Sequence, residues 1–62
     1  MKFNKVKEVI DSIYKATNPK YYRSAHIKVM NKLNDMCANG EITYAVMKKA
    51  YNYNDEYYIL HM

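Results

Sequence analysis

The reactive side chains of this chain are two histidines, one cysteine and six carboxylates, and their spacing limits what they can do together. His26 and Cys37 fall on nearly the same side of one expected helix, but the helical rise between them is about 16 Å. That separation excludes a Cys–His nucleophile couple or a shared metal within the helix. His61 is penultimate in the sequence, so a metal site built from His26, Cys37 and His61 has no geometric support. Glu8 with Asp11 and Asp55 with Glu56 read as surface charges near helix ends, where acidic groups favour an N-terminus through the helix dipole. A single cysteine forms no intramolecular disulfide, and a single glycine builds no phosphate-cradling loop. A pocket of several hundred cubic ångströms is hard to carve in 62 residues. The expectation is a protein that is not an enzyme and has no metal, cofactor or small-molecule substrate.

Two other groups of side chains point to binding. The net charge is +4, and nine of the ten basic residues are lysines, with Arg23 the exception. Residues 1–17 hold four lysines against Glu8 and Asp11, and residues 18–38 hold Lys20, Arg23, Lys28 and Lys32 against Asp35. Residues 39–62 hold Lys48 and Lys49 against Glu41, Asp55 and Glu56, so the basic field belongs to the first two segments. Arg23, Lys28, Lys32, Lys48, Lys49 and Asn52 are the candidate nucleic-acid contacts, from phosphate-reaching cations and one amide. A supply of mostly lysine is poor in the rigid fork that reads base edges. The eight tyrosines are too many for a small core to hide, and tyrosine is favoured at interfaces because it is large, rigid and amphipathic. Tyr21, Ile27, Tyr57 and Tyr58 are the candidate protein-interface residues.

The elements that must position these groups are legible from periodicity and punctuation. Phe3, Val6, Val9, Ile10, Ile13 and Tyr14 fall in one arc at 100° per residue, which predicts a helix over about 4–17. Asn18-Pro19 stops it and opens the next, with Asn18 as cap and Pro19 in the first turn. The second helix, 19–38, carries a broad apolar arc through Tyr22, Ala25, His26, Val29, Met30, Leu33, Met36 and Cys37, flanked by Tyr21 and Ile27, and is the expected central element. Asn39-Gly40 ends it, with Gly40 free to take a positive φ. Thr43 caps a third helix to about residue 53, and Ile42 before the cap pairs with Met47 as a staple. Asp55-Glu56 starts a short C-terminal helical segment covering Tyr57, Ile59 and Leu60. The fold class is all-α: one small domain over 1–62, a compact bundle of three helices. Ile10, Ile13, Val29, Leu33, Val46 and Met47 are its expected core.

The run LNDMCANGEITYAVMKKAY, Leu33 to Tyr51, resembles two known patterns. Leu33, Met36, Gly40, Ile42, Thr43 and Met47 look like the short helical hairpin found at the ends of many bacterial proteins, although Tyr44-Ala45-Val46 replaces the acidic pair and aromatic that usually follow the threonine. The same run is similar to a helix-turn-helix, with Gly40 as the turn, Ile42 and Val46 in the core, and Tyr44, Ala45, Lys48 and Lys49 on the readable face. Neither resemblance brings a function with it.

The sequence has no apolar run long enough to span a membrane and no signal-peptide core, and its unpaired cysteine suits a reducing compartment, so a soluble cytoplasmic protein is expected. The functional expectation is a small protein-binding regulator or inhibitor that covers a surface of a partner protein. Shortness and an Asn-, Lys-, Tyr- and Ile-rich composition of AT-rich type suggest a phage or mobile-element setting. The alternative is a helix-turn-helix-like nucleic-acid binder, with the helix over 43–53 as reader. A third reading is a self-associating structural subunit; a homodimer with Tyr21, Ile27, Tyr57 and Tyr58 near its interface is expected under any of the three, since it would present two reader helices or a larger platform.

Overall fold

A computed structural model describes residues 1–61 of the chain. Three helices, α1 (Phe3–Lys15), α2 (Tyr22–Ala38) and α3 (Tyr44–Leu60), run up, down and up within 32 × 17 × 15 Å. The all-α three-helix architecture expected from periodicity is the one adopted. The polar and apolar spacing of α1 puts Val6, Ile10 and Tyr14 on its buried face. On α2 the spacing of Ala25, Val29, Leu33 and Met36 makes one continuous buried seam, closed by Ile42 from the second connection and by Met47 and Ala50 from α3. Burying each large aliphatic side chain in that seam contributes about 1.5–3 kcal/mol. Ile13 and Val46 are only half-buried, because each lies at the edge of its helix's core arc, but both pack against the core.

The helix ends are set by local chemistry. α1 stops at Lys15, two residues before the expected end. The Thr17 hydroxyl donates to the Ile13 carbonyl at 2.7 Å, satisfying one of the acceptors a helix end leaves open. The Asn18 side chain accepts from the Lys20 amide at 3.1 Å, and Pro19–Tyr21 forms a single 3₁₀ turn before α2, so the expected helix over 19–38 opens with a tighter first turn. At the other end of α2, Gly40 has φ +78°, its amide donates to the Cys37 carbonyl at 3.1 Å, and the Glu41 amide donates to the Met36 carbonyl at 2.8 Å. That pair of bonds is a Schellman closure. Thr43 accepts from the Val46 amide at 3.2 Å, and Ile42 and Met47 are both buried on either side of this cap.

The third helix departs from expectation. It does not stop near residue 53 and restart, but continues to Leu60 through Asn52-Tyr53-Asn54-Asp55. Asn and Asp break helices when their side chains bond nearby backbone. Here Asn54 is fully buried and bonds to two other helices, and Asp55 bonds to His26, so neither competes with the helix that carries it.

Substituting Gly40 by alanine should destabilise the fold by about 1 kcal/mol, the cost of holding an L-residue in the left-handed region. No heavy atom lies within 4 Å of the position the new Cβ would take, so the loss is conformational and not steric. Gly40→Asn should recover part of it, since asparagine tolerates this region better; urea unfolding of the two variants and the parent measures the difference.

Candidate interaction surface

Packing determines which side chains remain at the surface. At the centre, the Tyr14 hydroxyl donates to Asn54 Oδ1 at 2.6 Å and Asn54 Nδ2 donates to the His26 carbonyl at 3.1 Å, linking α1, α3 and α2 through one amide. His26 Nε2 lies 2.7 Å from Asp55 Oδ1, and its ring sits against Tyr58 with centroids 4.9 Å apart. The Tyr57 ring is stacked between Tyr14 at 4.2 Å and His61 at 4.3 Å, while Tyr22 meets Tyr14 edge-on at 5.1 Å. His61 Nδ1 donates to the Tyr57 carbonyl at 2.8 Å. On the α1–α3 side, Tyr53 donates to Asp11 Oδ1 at 2.5 Å, Phe3 meets its ring edge-on, and the Lys7 ammonium lies 5.2 Å from its centroid. Tyr51 donates to Asn34 between α3 and α2.

Six of the eight tyrosines are thus absorbed between helices, and the other two, Tyr21 and Tyr44, are exposed at 56% and 65%. Each of these has a lysine ammonium over its ring, Lys20 at 5.7 Å and Lys48 at 5.8 Å. Of the residues expected at a protein interface, Tyr21 stands exposed at the end of the 3₁₀ turn and Ile27 on the outer side of α2, whereas Tyr57 is half-buried in the aromatic stack and Tyr58 half-buried beside His26. Met30, Tyr44, Ile59 and Leu60 are exposed large apolar groups outside that expectation. Ile59 and Leu60 belong to the uninterrupted last turns of α3, so their exposure depends on a helix length that local propensity did not give. Tyr44 is the first residue after the Thr43 cap, off the Met47–Ala50–Asn54 face that α3 buries at three- and four-residue spacing.

Arg23, Lys28, Lys32, Lys48, Lys49 and Asn52 are all exposed. They do not converge on one face. At 100° per residue, Arg23 lies on the flank of α2 toward α3, and Lys28 and Lys32 on the flank toward α1. The contacts Asn34–Tyr51 and His26–Asp55 descend α2 as they climb α3, so the two helices are an antiparallel hairpin along their lengths. A helix-turn-helix crosses at about 90–120° to push its second helix into a groove. Lys48, Lys49 and Asn52 therefore lie on the outer wall of a helix packed antiparallel to α2.

Three tyrosine hydroxyls are shifted by their surroundings. Burial, reinforced by Tyr57 and Asp55, pushes the Tyr14 hydroxyl up to about 12. The hydrogen bond to Asp11, then burial, then the Asp11 charge, pushes Tyr53 up to about 12, and burial raises Tyr57. Among the described residues there is no pocket and no group of three His, Cys, Asp or Glu able to hold a metal, and no helix is long and apolar enough to cross a membrane. Cys37 is free and half-buried at the end of α2. No family model, no curated protein and no solved structure matches the chain.

Tyr14→Phe leaves Asn54 Oδ1 buried without a donor and should cost about 1–3 kcal/mol in chemical unfolding. Asn54→Leu removes the partner of both Tyr14 and the His26 carbonyl, and the double variant should lose less than the sum of the singles, since the two residues act as one unit. An additive double variant would mean that the central bond does not couple the helices.

Stability should also fall in alkali. A tyrosine whose folded pKa exceeds its unfolded value stabilises the fold fully below the unfolded pKa, near 10, and that contribution is lost as pH rises toward the folded value of about 12. Tyr14 should supply a slope approaching about 1.4 kcal/mol per pH unit in this window. Thermal melts between pH 9 and 12 should show it, with a shallower decline in Tyr14→Phe.

Proposed function

We propose that this protein is a small protein-binding regulator or inhibitor that works by covering a surface of another protein. The observation carrying this reading is the contrast between its aromatic groups. Six tyrosines, His26, Asp11 and Asp55 are engaged in holding three helices together, while Tyr21, Ile27, Tyr44, Ile59 and Leu60 remain more than half exposed. Large apolar side chains left in water by a chain that packs the rest of its rings so thoroughly are what an interface uses. The basic charge of the first two segments adds steering toward an acidic partner.

The test has two parts. Sedimentation equilibrium of the chain alone, from low micromolar to submillimolar concentration, should give the 7.4 kDa monomer. A protein captured with the tagged chain from its cellular setting should re-form a stoichiometric complex when both components are purified. A dimer saturating at low micromolar concentration would assign the exposed groups to self-association instead. Binding of mixed duplex DNA that weakens steeply with salt, without a protein complex, would replace the reading by nucleic-acid binding.

A further inference from the structure

The exposed cations that do gather are drawn from two helices, α1 and α2. Asp11 and Lys7 of α1 reach Tyr53, so α3 borders that flank of α1. The opposite flank turns toward α2, with Val9 and Ile13 half-buried along it and Lys2 and Lys5 exposed beside them. On α2, His26 and Asn34 bond to α3, and the opposite flank, toward α1, carries the exposed Lys28 and Lys32. The two helices run antiparallel: the Tyr14 and Tyr22 rings meet at one end, and at the other the Met1 amino group donates to the Glu41 carbonyl at 2.5 Å. Lys2 and Lys5 therefore lie beside the last turns of α2, where Lys32 is, and the four lysines border one α1–α2 face from its two sides.

Little negative charge offsets them. Among the described residues Lys2, Lys20, Lys28 and Lys32 have no carboxylate within salt-bridge distance, and Lys5 meets Glu8 at 3.3 Å in an exposed pair of the kind that holds weakly. Asp35 is the one acid on this side of α2, just beyond Lys32. Tyr21 joins the same edge. At 100° per residue, Tyr21, Lys28 and Lys32 fall within about 40° of one another over about 16 Å of α2. Lys20, in the turn before, holds its ammonium 5.7 Å from the Tyr21 ring. That ring is 56% exposed, whereas Tyr14, Tyr22 and Tyr57 at the same end of the bundle pack against one another. An aromatic ring left in water at the head of a row of cations suits a single strand, whose unpaired base stacks on the ring while its phosphates follow the charges. A duplex keeps its bases stacked on each other and offers the ring no face.

We propose that the α1–α2 face binds single-stranded nucleic acid, with an unpaired base stacked on Tyr21 and the backbone phosphates running past Lys20, Lys28 and Lys32 toward Lys5 and Lys2. Of the six residues expected as nucleic-acid contacts, only Lys28 and Lys32 belong to this site; Lys48, Lys49 and Asn52 stand on α3, and Arg23 on the other edge of α2. Lysine ammoniums act as point charges without the fork that reads base edges, and a base of any kind has a face to stack, so the site tolerates any sequence. The activity goes beyond the protein-binding reading. Of the exposed groups that reading rests on, only Tyr21 is shared, and Tyr44, Ile59 and Leu60 of α3 take no part.

The test uses the full-length chain, isotope-labelled for NMR, with fluorescent oligodeoxythymidine and oligouridine of about 15 nucleotides, a DNA duplex of the same length, and polyglutamate as a polyanion without bases. Both single strands should bind more tightly than the duplex and shift the amides of Lys5, Lys20, Tyr21, Lys28 and Lys32. Contacts from all five lysines would make log affinity fall against log salt with a slope of about −3.5. Tyr21→Ala, with a thermal melt matching the parent, should weaken single-strand binding about five- to a hundredfold, and Tyr21→Phe should bind as the parent does. Lys28→Gln with Lys32→Gln should reduce the slope by about 1.4, and Lys48→Gln with Lys49→Gln should leave it unchanged. The assignment is overturned by failure of both single strands to bind at low salt, by a duplex bound as tightly as they are, or by parental binding in Tyr21→Ala. Polyglutamate shifting the same amides as strongly would reduce the face to a general anion surface, and a slope that responds to Lys48 and Lys49 instead would move the site to α3. None of these outcomes depends on a captured protein, so the protein-binding reading stands or falls separately.

Discussion

Asn54 is the one polar side chain wholly inside the described structure, and the arrangement of the three helices follows from what it holds. Its carbonyl takes the Tyr14 proton from α1 and its amide gives a proton to the backbone of α2 at His26, so a single residue of α3 fixes the rotation and height of both neighbours. Apolar packing alone constrains a helix only to within what its neighbours' side chains can repack to accept. A buried amide with one donor and one acceptor satisfied on different helices admits no slip, because any shift leaves a buried polar atom without a partner, which costs more than the bond contributes. No buried side-chain nitrogen or oxygen among the described residues is left unpaired.

The aromatic groups follow from that point. With Tyr14 turned toward Asn54, its ring is presented flat to Tyr57 one turn further along α3, and His61 closes the stack on the next turn. Three of the packed phenols, Tyr14, Tyr51 and Tyr53, donate across helix boundaries to Asn54, Asn34 and Asp11, while Tyr22, Tyr57 and Tyr58 are held by ring contacts. The tyrosine-rich composition is thus mainly a packing device: long, rigid rings span gaps that this small core could not fill with aliphatic side chains.

The parts of the fold visible in the residues were those governed by local rules. Asn18-Pro19, Gly40 and Thr43 each act within a few residues, and each sits where its backbone chemistry requires. The seam of α2 was readable because Ala25, Val29, Leu33 and Met36 repeat at the helical period. The continuous third helix was not, since Asn54 and Asp55 look like a break until their tertiary partners are known. The fate of Tyr57 and Tyr58 was hidden for the same reason: whether a ring faces solvent or a neighbour depends on the register that Asn54 sets, and register is not a local property. Arg23, Lys28 and Lys32 could be named as exposed cations, but their division between two edges of α2 needed the positions of α1 and α3.

That division also separates the two exposed helices as candidate surfaces. The outer side of α3 mixes Lys48 and Lys49 with Glu56, and its exposed apolar groups, Tyr44 at one end and Ile59 and Leu60 at the other, lie about 22 Å or more apart along the axis. The outer side of α2 carries Arg23, Lys28, Lys32 and the half-exposed Ile27, with Asp35 as its only acid. The cations of that side make no ion pair among the described residues and so constrain the fold little, while the core arrangement is held by Asn54.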